Sequence, residues 1–221
     1  MNRDTGVKIL GVVGSPRKGG NTHILVKDAL DAAGRAGAET RLVMLRDQHI
    51  EGCRGCESCA SSHRCVIQDD MQSLYPLILE ADGLVLGSPV YFYNVSSLVK
   101  SFLERCYCLE VFDPEDRSCW VGIREALGGA CAVVIAVGEQ AEEQYLGHTI
   151  EAMSLPLADL GYRVVAKVKA CGLWSAGAAG HDPEIGRAAA GAGELLVRTI
   201  KLRKALAAQI PEGSRGAPGG D

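Results

Sequence analysis

VKILGVVGSPRKGGNT, residues 7–22, decides how the chain folds. Its first part, VKILGVV, is a short apolar, β-branched run bounded by glycine, the pattern of a strand buried on both faces of a parallel sheet. The loop GSPRKGGN follows. From Thr22 to about Ala36 the period changes: Ile24, Leu25, Asp28, Ala29 and Ala32 recur at helical spacing, and Gly34 and Gly37 punctuate the end.

Working outward, the same alternation repeats. Residues 39–45 (ETRLVML) form a second strand, 83–88 (GLVLGS) a third, 131–138 (CAVVIAVG) a fourth and 162–169 (YRVVAKVK) a fifth. One helix is expected over Met71–Ala81, with Asp69 and Asp70 at its N-terminus and a kink at Pro76, and another over Ser96 to about Tyr107. Two more are expected from about Gln140 to Leu160 and from Asp182 or Pro183 to about Ala208. Residues 48–68 form a long Cys-rich loop, and no element is assigned within 109–128. Strands and helices in alternation give an α/β domain with a doubly wound parallel sheet and right-handed crossovers. It is read as one domain over 1–208, with 209–221 as a disordered tail by composition.

The composition, 47% hydrophobic and 23% charged, is that of an ordinary globular chain. A net charge of -4 offers no basic stripe for a phosphate backbone, so nucleic acid is not expected as a partner. No apolar run approaches the roughly 18–20 residues that cross a bilayer. The first residues lack the pattern of a signal peptide, so a cytoplasmic protein with no membrane partner is expected. In a reducing compartment nine cysteines are not a disulfide framework; ligation, catalysis or burial accounts for them.

In an open parallel sheet the ligand sits beyond the carboxyl ends of the strands. There the first loop offers Ser15, Arg17, Lys18, Asn21 and Thr22 at the head of a helix whose free N–H groups favour an anion. It has neither the GK[ST] of a nucleotide-hydrolysing P-loop nor GxGxxG, which leaves a mononucleotide phosphate or a surface turn that binds nothing. The loop after the third strand, SPVYFYN, carries Pro89, Val90, Tyr91, Phe92 and Asn94, an aromatic surface with fixed polar groups suited to a flat heteroaromatic ring, or else core packing. Gly138, Glu139 and Gln140, after the fourth strand, either close the same crevice or cap a helix.

Together GSPRKGGNT, SPVYFYNVSSLVKSFLER and VGEQ resemble the NADPH-dependent FMN reductase branch of the flavodoxin-like superfamily, over roughly Val7 to Val168. The resemblance implies a five-stranded sheet in the order 2-1-3-4-5. It also implies an FMN phosphate on Ser15, Arg17, Asn21 and Thr22, and an isoalloxazine against Pro89, Val90, Tyr91, Phe92 and Asn94.

Cys53, Cys56 and Cys59 are spaced CxxCxxC, and Cys65 follows. Four thiolates in one loop can converge on one inorganic centre, and this spacing is that of bacterial iron–sulfur ligation. Zinc, with His63 as a substitute ligand, and unligated thiols are the rival readings. The arrangement is similar to that of iron–sulfur flavoproteins, whose compact four-Cys motif holds a 4Fe-4S cluster beside FMN. The other cysteines lack ligand spacing, and Cys131 is expected in the core.

No Ser/His/Asp order, nucleophile elbow or paired carboxylates stand out, so no side chain is assigned as catalytic. Flavin would carry the chemistry. By resemblance the chain is a redox enzyme passing electrons between ferredoxin or NAD(P)H and a small acceptor such as oxygen, peroxide or a quinone. An NAD(P)H-dependent FMN or quinone reductase without a cluster is the alternative; an electron carrier or zinc-stabilised interaction module is the third. Relatives are commonly dimers or tetramers, and a homodimer or homotetramer is expected.

Overall fold

The computed structural model describes residues 6–209. The tail reading therefore falls almost wholly outside the described residues. The chain runs β1 (Val7–Val13), α1 (Asn21–Arg35), β2 (Ala38–Met44), α2 (Cys59–Ser62), α3 (Met71–Glu80), β3 (Gly83–Pro89) and α4 (Ser97–Arg105). It continues through β4 (Glu110–Phe112), β5 (Trp120–Gly122), α5 (Ile123–Ala126), β6 (Ala130–Val137), α6 (Thr149–Asp159), β7 (Tyr162–Ala170) and α7 (Pro183–Gln209).

Five strands form one parallel sheet in the order β2-β1-β3-β6-β7. Counting only its own strands, this is the expected 2-1-3-4-5. Because β1 pairs with β2 on one side and β3 on the other, the winding reverses there, and the loops after β1 and β3 open at the switch point.

The period-two pattern sorts the strands' side chains onto two cores. Leu10, Val12, Leu84, Leu86 and Val134 face α3, α4 and α6 through Met71, Ile78, Phe102, Met153 and Leu157. Ile9, Val13, Val85, Val133 and Ile135 face α1 and α7 through Leu25, Ala29, Leu196 and Ile200. Each such fully buried Val, Leu, Ile, Phe or Met side chain contributes about 1.5–3 kcal/mol relative to exposure. Helices α1 and α7 meet backbone to backbone: a Cβ on Gly193 would lie 2.0 Å from the Ala29 carbonyl oxygen. Cys131 is buried in this second core, as expected.

Two expectations need correction. The helix placed from about Gln140 begins only at Thr149. A 3-10 turn (Glu143–Leu146) precedes Gly147, whose φ of 54° ends any helical path. The second concerns 109–128, to which the sequence assigns no element. It contains the antiparallel pair β4–β5 and the single turn α5. Phe112 stacks between Tyr107 and Trp120 there, a cross-strand aromatic contact that three-residue strands hide from periodicity. Among the described residues no helix is long and apolar enough to cross a membrane.

Candidate functional site

A cleft lies where β1, β3, β6 and β7 end. Ser15, Arg17, Asn21, Thr22, Pro89, Val90, Tyr91 and Glu139 line it, joined by Gly20, Val137, Leu173, Trp174 and Ala176. Helix α1 starts here with Gly20 as its N-cap and no side-chain cap. Its first hydrogen bond is Ile24 N–H to the Gly20 carbonyl. The N–H groups of Asn21, Thr22 and His23 thus have no intrahelical acceptor, the arrangement that receives an anion. Ser15, buried, accepts from Arg17 N–H at 3.2 Å and folds the loop over this helix end.

The Asn21 side chain is committed elsewhere. Its amide donates to the carbonyls of Leu173 (3.1 Å) and Ser175 (2.9 Å), and its oxygen accepts from Ala179 N–H (3.1 Å). Asn21 therefore builds the fifth wall of the cleft, leaving its backbone to face an anion. That wall carries Trp174, 71% exposed. Sequence reading missed it, although the rule that located the other loops, the carboxyl end of a parallel strand, applies equally to β7.

The loop after β3 is fixed at its base by Ser96. Its hydroxyl donates to the Gly14 carbonyl (2.7 Å) and accepts from Val99 N–H (3.3 Å), capping α4. At the tip, Tyr91 and Asn94 exchange backbone hydrogen bonds around Phe92 (φ 51°) and Tyr93 (φ 65°). A two-residue turn with both central φ positive normally takes Asn-Gly. Phe92 is 99% exposed, its ring meeting only the edge of Tyr93. Gly147 supports this turn from below, since a Cβ there would lie 2.3 Å from the Tyr93 carbonyl oxygen. Lys18, Phe92, Asn94, Gly138 and Gln140 stand off the cleft's lining.

The four cysteines of the loop line a second cavity, of about 320 Å³, with Ile67, Glu104 and Tyr107 in its wall. Cys53 and Cys56 are exposed; Cys59 and Cys65 are half-buried. Ser58, through its hydroxyl and then its backbone, holds the Cys56 thiol below its usual range, whereas burial pushes Cys59 up. Among the described residues no three His, Cys, Asp or Glu side chains stand close enough to share a single metal ion. His63 is not in the cavity wall. Arg117, from the β4–β5 hairpin, reaches over to Glu57 (3.3 Å) and the Tyr107 hydroxyl (2.7 Å).

The residues suit the groups the resemblance implies. The cleft joins an uncapped helix end to an aromatic loop, and the second cavity offers four soft thiol donors beside the Glu57 and Glu104 carboxylates.

Comparison with known proteins gives the family. An iron-sulfur flavoprotein of Methanocaldococcus jannaschii is 39% identical over 127 residues, 58% of this chain and 62% of that one. Another, from Methanosarcina thermophila, is 36% identical over 103 residues, 47% and 54% of the two chains. The chain thus spans somewhat more than half the length of these two relatives. Among solved structures, that of RosB with bound 8-demethyl-8-formylriboflavin-5'-phosphate superposes with a TM-score of 0.67 at 17% identity, covering 95% of this chain and 83% of that one, a likeness of fold. The model of the family described as NADPH-dependent FMN reductase matches residues 7–161, and the chain belongs to that family.

Proposed function

We propose that the chain is a flavin-dependent oxidoreductase that binds FMN in the cleft beyond β1, β3 and β6 and carries a 4Fe-4S cluster on Cys53, Cys56, Cys59 and Cys65. The observation that carries the reading is the meeting, at one switch point, of the open α1 N-terminus with the Pro89–Tyr91 loop. FMN, when bound, supplies hydride acceptance and single-electron release. The residues do the rest. Ser15, Arg17, Thr22 and the first N–H groups of α1 hold the phosphate; Pro89, Val90 and Tyr91 cover the ring, and Glu139 bounds its edge. Asn21 holds the Leu173–Ala176 wall that shields the cleft from water. Lys18, Phe92, Asn94, Gly138 and Gln140 act through the loops they shape.

For the cluster, the support is that all four thiols line one cavity and follow the CxxCxxC spacing of iron–sulfur ligation. In this reading electrons pass between NAD(P)H or ferredoxin and a small acceptor such as oxygen, peroxide or a quinone, in a cytoplasmic homodimer or homotetramer. The test is anaerobic purification, analysis of iron, zinc and flavin per chain, and NAD(P)H oxidation with a quinone added. About four iron atoms and turnover support it. Zinc in place of iron removes the cluster, and absence of turnover with both NAD(P)H and reduced ferredoxin removes the enzyme.

A further inference from the structure

The cysteine loop leaves the domain near Glu51 and returns near Asp69, and one buried cation closes its neck. The Arg105 side chain, at the end of α4, is 0% exposed and that of Asp69 1%. Nη1 of Arg105 donates to Asp69 Oδ2 (2.6 Å) and to the Glu51 carbonyl (3.1 Å). Nη2 donates to Asp69 Oδ1 (3.1 Å) and to the Ile67 carbonyl (3.3 Å). Asp69 in turn accepts from Glu51 N–H (2.9 Å) and Met71 N–H (3.1 Å). Both ends of the loop are thus fastened to one guanidinium–carboxylate pair. From the other side the Tyr75 hydroxyl donates to the Arg105 carbonyl (2.9 Å), fixing the helix end.

One donor of this otherwise saturated group is unused: Nε of Arg105 is buried and has no hydrogen-bond partner. Buried donors are rarely left so without a reason. Cys65 stands two residues before Ile67, whose carbonyl Arg105 already holds. Burial is the largest single influence and opposes the guanidinium charge, but Asp69, Tyr75 and Cys65 together more than reverse it.

We propose that Arg105 is a positioning residue of the cysteine centre: with Asp69 it locks the neck of the loop, and it keeps Nε–H for the Cys65 sulfur when that sulfur is a cluster ligand. This rests on the cluster reading above. A hydrogen bond to a ligating sulfur favours the reduced, more negative cluster and raises its potential.

The test compares wild type with Arg105→Lys, which keeps the charge and loses the planar fork. Both are reconstituted anaerobically with iron, sulfide and FMN. Iron and FMN per chain are measured, and the cluster midpoint is read by a redox titration followed by electron paramagnetic resonance. We expect the variant to hold FMN and its reduction equilibrium to move about tenfold toward the oxidised form, about 59 mV for one electron. Iron lost while FMN is kept supports the locking role. An iron-loaded variant with the wild-type midpoint overturns the proposal alone; wild type that binds FMN but no iron overturns the cluster reading with it. Should Arg105→Lys fail to fold, the Arg105→Gln/Asp69→Asn pair, which leaves no unmatched ion, is judged by the same midpoint.

Discussion

The cleft and the cysteine cavity share no lining residue, and α4 joins them. At its head, Ser96 grips the first loop through the Gly14 carbonyl. At its tail, about 14 Å away at roughly 1.5 Å per residue, Arg105 grips the cysteine loop. The two sites are built by opposite means. The cleft is made by backbone, since parallel strands ending together must place several loops on one rim. The cavity is made by side chains, since a long loop without a ladder needs an anchor. Sheet topology therefore makes the first robust, and a single ion pair makes the second fragile.

The sharpest way to break this contrast is Asp69→Ala. It leaves the Arg105 charge buried and unpaired, and should cost about 3–5 kcal/mol in chemical denaturation. A loss well under 1 kcal/mol would mean the neck is not what holds the loop. The same pair sets a pH dependence. Burial pushes the Asp69 carboxyl up, but Arg105 and the Glu51 and Met71 N–H groups more than reverse it, leaving it below its ordinary value. Its contribution is therefore complete above about pH 4, the unfolded value, and is lost as pH falls through the folded one. Thermal unfolding of wild type should weaken across that acid window more than that of the Arg105→Gln/Asp69→Asn pair.

In the cleft the effects are smaller. Asn21→Ala strands two carbonyls and one N–H of the Leu173–Ala179 segment and should cost about 1–3 kcal/mol, with weaker FMN binding and unchanged iron content. Unaltered FMN affinity would separate that wall from the flavin. The smallest effect is expected at the turn tip. Phe92→Gly relieves a positive φ worth about 1–2 kcal/mol against about 0.5–1 kcal/mol of chain entropy, a slight rise in melting temperature. A fall would show that the exposed ring makes contacts of its own.

The same contrast explains what could be read from sequence. The sheet was legible because VKILGVV, GLVLGS and CAVVIAVG carry their fold in local periodicity, and the first and third loops because a rim position follows from a strand end. The fifth wall was not, since it depends on Asn21 reaching a segment about 150 residues away. The sequence marks Asp69 as a helix cap, and it does accept from Met71 N–H. Its pairing with Arg105 across 36 residues left no local sign. The late start of α6 turned on Gly147, which has a positive φ and packs against the Tyr93 carbonyl more than 50 residues earlier.

Whether the cleft at the switch point holds FMN is decided by gel filtration of the native protein after incubation with excess FMN. The expected result is a yellow protein peak carrying about one flavin per chain, with Ser15→Ala/Thr22→Val retaining markedly less. A colourless, flavin-free wild-type peak would contradict it.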